Sequence, residues 1–197
     1  MTDTTISTPE TRSAAPAGRT ILVWDLPVRL FHWTLVSCVF LLFLTGKIGG
    51  LDFRMPFTGQ LVGNMDLHMT LGSLVLSLLI FRGLWGLLGS STARFINFVR
   101  GPSAVLAYLG DLVRGELPRH VGHNPAGALM VLALLGTLFL QVGTGLFAND
   151  DIFSEGPLAH LVSKETSDFL TGCHELSFNL LLLCVALHIS AALYYRL

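Results

Sequence analysis

His174-Glu-Leu-Ser-Phe-Asn-Leu-Leu-Leu-Leu-Cys-Val-Ala-Leu-His188 is an apolar run bounded by two histidines fourteen residues apart. As a helix this stretch rises about 21 Å and brings the second side chain to within roughly 40° of the first. One helix can therefore present an imidazole at each of two depths on nearly one face. The run is one of four. Residues 28–46, 68–88, 126–147 and 174–195 are each close to the about 20 residues that cross a hydrocarbon layer about 30 Å thick. Only 13% of the 197 residues are charged and 52% are apolar, the composition of an integral membrane protein. A soluble α-domain with four core helices would need polar faces that these runs lack. The expected fold is all-α, a four-helix transmembrane bundle over residues 21–197. A disordered tail rich in Thr, Ser, Ala and Pro is expected at 1–20. Because the first run starts late, is long enough to span, and contains Arg29 and His32, it is read as a permanent helix and not a cleaved signal.

Basic residues accumulate on the cytoplasmic side. With the N-terminus inside, that side holds nine of them: Arg12, Arg19, Arg29, Arg82, Arg94, Arg100, Arg114, Arg119 and Arg196. The other side holds three, Lys47, Arg54 and Lys164. Both termini are expected in the cytoplasm, and the opposite surface is acidic, with Asp52, Asp66, Asp150, Asp151, Glu155, Glu165 and Asp168. Between the second and third runs, Val105, Leu106, Tyr108, Leu109, Leu112 and Val113 follow Pro102 at helical spacing. They predict a short amphipathic helix along the cytoplasmic interface. The long external loop at 148–173 carries no recognised catalytic motif.

Ionisable residues in a bilayer are costly and usually face the bundle interior. Alternating helix direction puts His32 and His188 at one depth, near the cytoplasm, and His68 and His174 at the other. A single helix-end imidazole is ordinarily a group hydrogen-bonded to backbone or water, but four at matched depths point to two ligand pairs across the bundle core. Two stacked haems fit that pattern. Bis-imidazole ligation leaves no open iron position and suits electron transfer. A single zinc site would need its ligands clustered, which the separation along the last helix forbids; two two-histidine metal sites remain an alternative.

Arg82, fourteen residues after His68, is a candidate partner for a propionate of the inner haem, or a snorkelling boundary arginine. Arg29, three residues before His32, carries the same two readings. His120 and His123, in Arg-His-Val-Gly-His-Asn-Pro, are either solvated loop histidines or proton donors beside a quinone head group. His160 reads as surface. The third run has no histidine but contains Gly127, Gly136, Gly143, Thr144 and Gly145, small residues that admit a close helix or a flat macrocycle. Thr45-Gly46 and Thr144-Gly145 hint at a repeat. Cys38, Cys173 and Cys184 form no Cys-x-x-Cys-His motif, so haem would be held without covalent attachment.

Trp24-Asp25-Leu-Pro-Val-Arg29-Leu-Phe-His32-Trp33, His68 with Arg82-Gly-Leu-Trp85-Gly86, Gly122-His123-Asn124-Pro125, and His174-Glu175 with His188 and Tyr194-Tyr195 together resemble the bacterial cytochrome b561 family. The resemblance covers residues 21–197 and extends to the b-type subunits of membrane nickel-iron hydrogenases. It implies two non-covalent haem b groups, ligands at His32, His68, His174 and His188, and exchange of electrons with the quinone pool, ubiquinone included. Because the sequence stops right after the fourth run, docking through a longer cytoplasmic extension is not expected. The expected function is that of an inner-membrane di-haem cytochrome b between a periplasmic donor and quinone. Cytochrome c, a dehydrogenase or hydrogenase subunit, superoxide and a homo-oligomeric assembly all remain compatible. The acidic outer face favours a basic protein donor. A membrane anchor of a larger oxidoreductase and a non-haem metal-binding membrane protein are the alternatives.

Overall fold

The computed structural model describes residues 24–116, 122–152 and 154–195; the expected tail at 1–20 and the residues Arg119 and His120 lie outside them. Helix α1 runs Leu26–Phe43 and continues as a π-helical turn, Leu44–Ile48. A two-stranded antiparallel hairpin follows, β1 (Phe53–Arg54) paired with β2 (Leu61–Val62). Then come α2 (Asn64–Leu88), α3 (Phe95–Phe98), α4 (Pro102–Val113), α5 (Pro125–Gly145), a short 3-10 turn Ala159–Leu161, and α6 (Lys164–Tyr194). Four of these, α1 with its π turn, α2, α5 and α6, are long and apolar enough to cross a membrane, as the four runs predict.

Local chemistry explains where the helices begin. Asp25 accepts the Val28 N–H at 2.9 Å and Pro27 sits in the first turn of α1. Asn124 accepts the Gly127 N–H at 2.7 Å, with Pro125 as the first residue of α5. Both are N-caps with a proline where its missing N–H costs nothing. The hairpin and α3 were not expected from the sequence. α6 starts ten residues earlier than its apolar run, capped by Ser163, whose hydroxyl accepts the Thr166 N–H at 3.3 Å. Its 31 residues span about 46 Å, more than the hydrocarbon layer requires. Much of the expected 148–173 loop is thus helix continuing beyond the apolar run.

The packing is that of a bundle in lipid. α5 lies chiefly against α6 and α1 against α2, with α2 against α5 joining the halves. Cys38, Val75, Leu79, Leu138, Val142 and Leu181, drawn from all four spanning helices, form the core, with Leu79 fully buried. Large apolar side chains such as Phe40, Leu87, Leu183 and Ile189 face outward, which water would penalise and hydrocarbon does not. α4 is tied to the end of α6 by a 2.7 Å hydrogen bond between the Tyr108 and Tyr195 hydroxyls.

Gly86 admits α3 to the bundle: a Cβ there would overlap the Phe95 ring. Without a hydrophobic force between helices in lipid, such close approach is what helix association depends on. Gly86→Ala should cost about 1–3 kcal/mol, seen as a lower thermal midpoint of the detergent-solubilised protein, whereas Ala at the open Gly83 should leave it within experimental scatter.

Candidate functional site

The structure brings the four sequence-selected histidines together as two pairs. The ring centres of His32 and His188 are 6.4 Å apart, and those of His68 and His174 are also 6.4 Å apart. α1 and α6 supply the first pair, α2 and α6 the second. Two metal–nitrogen bonds of about 2 Å, plus a ring-centre offset of about 1.1 Å on each side, put two axial imidazoles about 6.3 Å apart. Both pairs match that separation. Among the described residues no group of three or more His, Cys, Asp or Glu could hold a metal ion, so the two pairs do not combine into one four-ligand site.

At the His68/His174 level the imidazoles are held from behind. Nδ1 of His68 lies 2.8 Å from the Thr45 hydroxyl, and Nδ1 of His174 lies 2.8 Å from the backbone carbonyl of Gln141. The Gln141 side-chain amide donates to Nε2 of His174 at 3.0 Å, and its carbonyl accepts from the Ser177 hydroxyl. A cavity of about 560 Å³, bordered by both histidines, Gly46, Gly72, Gly145 and Lys47, opens between the helices. That is within the range of small-molecule and cofactor sites. No heavy atom lies within 4 Å of where a Cβ on Gly72 would be, so the wall there is open to a flat group.

The His32/His188 level is built differently. Arg82 is 4% exposed, and its Nη1 has no hydrogen-bond partner. Phe95 covers its guanidinium at 4.6 Å. A buried cation with an unpaired donor fits an anionic ligand group far better than the snorkelling reading. His123 is enclosed as well, between Trp24 and Phe98 with ring centres at 4.5 and 4.7 Å, and its Nδ1 has no partner. It is therefore not the solvated loop residue that the sequence favours. Burial first, then the Arg82 and His188 charges, push its pKa down to about 4, so it is neutral at pH 7. Arg29 is exposed and does not join this cluster; His160 is exposed in the 3-10 turn.

Asp25 went unnoticed in the sequence except as part of a motif. Its carboxylate accepts from Trp85 Nε1 at 3.0 Å and from the Ser90 hydroxyl at 2.5 Å while it caps α1. The start of the first span is thereby tied to the end of the second, next to Arg82. A capping acid immediately before Leu-Pro was the available signal.

The family profile described as prokaryotic cytochrome b561 matches residues 23–197. The chain belongs to that family. Cytochromes b561 are membrane electron-transfer proteins that carry b-type haem, and this one is accordingly a multi-pass bacterial membrane protein. Searches of curated proteins and of solved structures gave no match. Haem fits the residues present: paired imidazoles at ligand separation, a cavity with an open glycine wall, and an unpaired buried guanidinium suited to a propionate.

Burial raises the Asp25 pKa, but the bonds from Ser90, Val28 and Trp85 and the Arg82 charge outweigh it and hold the carboxyl below its ordinary value. A group depressed in this way stabilises the fold above the ordinary carboxylate range and loses that contribution as pH falls through its folded value. Asp25→Asn should cost about 1–3 kcal/mol at pH 7. In thermal unfolding in detergent, the difference from wild type should be full above the ordinary carboxylate range and shrink progressively as pH falls below about 4.

Proposed function

We propose that this cytochrome b561 is a di-haem protein of the inner membrane, with both termini in the cytoplasm, carrying electrons between a donor at the periplasmic face and the quinone pool. The observation that carries this reading is the equality of the two imidazole separations, 6.4 Å at each of two levels, on a last helix whose two histidines are about 21 Å apart. His68 and His174 would hold the outer haem and His32 and His188 the inner one. Haem b, when bound there, would supply a one-electron iron couple.

The chain's own residues do the rest. Arg82 and His123 would offer their unpaired nitrogens to the carboxylates of the inner group, and Lys47, bordering the outer cavity, would supply a cation for the outer one. Arg29, exposed near the start of α1, suits the membrane boundary. His123 is also the residue best placed to hydrogen-bond a quinone, ubiquinone included, at the inner level. The outer surface presents Asp150, Asp151, Glu155 and Asp168, which favours a basic protein donor such as a cytochrome c, or a dehydrogenase or hydrogenase subunit, over an anionic small molecule.

Detergent-purified protein should contain two non-covalent haems per chain by pyridine haemochrome. His68→Ala and His174→Ala should remove the same one, and His32→Ala and His188→Ala the other, in reduced-minus-oxidised spectra. One haem or none in the folded wild type, or different losses for His68→Ala and His174→Ala, would overturn the reading.

A further inference from the structure

Thr45-Gly46 and Thr144-Gly145 stand behind the two imidazoles of the His68/His174 pair, one dipeptide to each ring. The Thr45 hydroxyl bonds back to the carbonyls of Leu41 and Leu42 at 3.0 and 3.2 Å. That of Thr144 bonds back to Leu140 and Gln141 at 2.8 and 3.1 Å. Each hydroxyl also faces a histidine Nδ1, at 2.8 Å for His68 and 3.4 Å for His174. The carbonyl three residues before each threonine accepts from its hydroxyl, Leu42 from Thr45 and Gln141 from Thr144, and that of Gln141 also accepts from His174 at 2.8 Å. Both threonines are buried.

The glycines complete the match. A Cβ at Gly46 would lie 3.1 Å from Cε1 of His68, and a Cβ at Gly145 would lie 2.8 Å from Cε1 of His174. Each imidazole therefore rests directly on the backbone of the facing helix. α1 and α5 use the same five-residue device, Leu42 to Gly46 and Gln141 to Gly145, at equivalent places.

We infer that these two Thr-Gly dipeptides are positioning residues that hold His68 and His174 as Nδ1–H tautomers, leaving Nε2 to bind the metal once the Gln141 amide that here donates to Nε2 of His174 at 3.0 Å is displaced, and that they lower the potential of the haem at this level. The inference builds on the two-haem reading. A carbonyl can only accept, so His174 carries its proton on Nδ1. The Thr45 hydroxyl gives its single proton to the carbonyls of its own helix and accepts from His68. A hydrogen bond at Nδ1 makes the other nitrogen a stronger donor, which favours the oxidised iron. The His32/His188 pair has no such backing among the described residues: Trp33 stands edge-on to His32, 5.3 Å away.

Redox titration and low-spin EPR of the detergent-purified haem protein test this. Thr45→Val should raise the midpoint of one haem, equivalent to about a three- to tenfold change in its Fe(III)/Fe(II) ratio, at about 59 mV per tenfold. The second haem should not move, and Thr45→Ser should restore the wild-type value. Gly145→Ala should deplete that same haem, whereas Gly46→Ala should keep both with only an altered EPR signal. The retained second haem reports that the variants fold. Wild-type midpoints and EPR signals in Thr45→Val and Gly145→Ala would overturn the inference and leave the two-haem reading standing. Equal loss of haem in Thr45→Val and Thr45→Ser would overturn it as well, since serine keeps the hydroxyl. Fewer than two haems in the wild type would overturn both.

Discussion

Polar groups inside this bundle must find their partners in the protein or in a group it holds, because hydrocarbon offers none. The spanning backbone meets that demand as helix. Side chains meet it by turning inward: Thr45 and Thr144 bond to carbonyls of their own helices, and Ser177 bonds to Gln141. The four histidines face one another across the axis. Leucines and phenylalanines can occupy the outer faces only because the same medium tolerates them there. The inward convergence of polar groups and the outward spread of apolar ones are two results of one solvent.

The two levels meet that demand by different means. Around His68 and His174 the partners are hydroxyls, an amide and a carbonyl, all neutral. At the level of His32 and His188 the Arg82 guanidinium keeps an unpaired nitrogen, with Asp25 nearby, and rings of Phe95, Trp24 and Phe98 cover it and His123. A positive charge favours the reduced form of a nearby metal, while hydrogen bonds that enrich an imidazole favour the oxidised form. In the proposed two-haem reading both influences would pull the two levels apart in the same sense, towards an easier reduction at the Arg82 level. Under the proposed topology that is the direction from periplasm to cytoplasm.

Much of this was legible in the chain. Spans announce themselves by about twenty apolar residues, and a constant rise per residue converts spacing along a helix into depth, which pairs the histidines from spacing alone. The first turns of α6 were not legible, since Lys164-Glu-Thr-Ser-Asp is polar and a helix outside the hydrocarbon leaves no trace in hydropathy. The burial of His123 depends on Trp24 and Phe98, which are remote in sequence. Phe95 covers Arg82 from a helix of four residues, too short to have a period. The Thr-Gly hint could not be weighed because the dipeptide also occurs at 58–59 and 171–172. There the threonines serve turn and loop bonds to Gln60 and Asn149. Only the facing helix tells the cases apart.

α6 carries His174 and His188 on one unbroken rod of 31 residues, and each has its partner on a different helix. A rotation of that rod about its axis would swing both imidazoles together, and a slide along it would lift or lower both by the same amount. The two pairs are thus geared to a common shaft. A distortion of α6 at either end, including the segment that continues past the apolar run, is transmitted to both pairs at once.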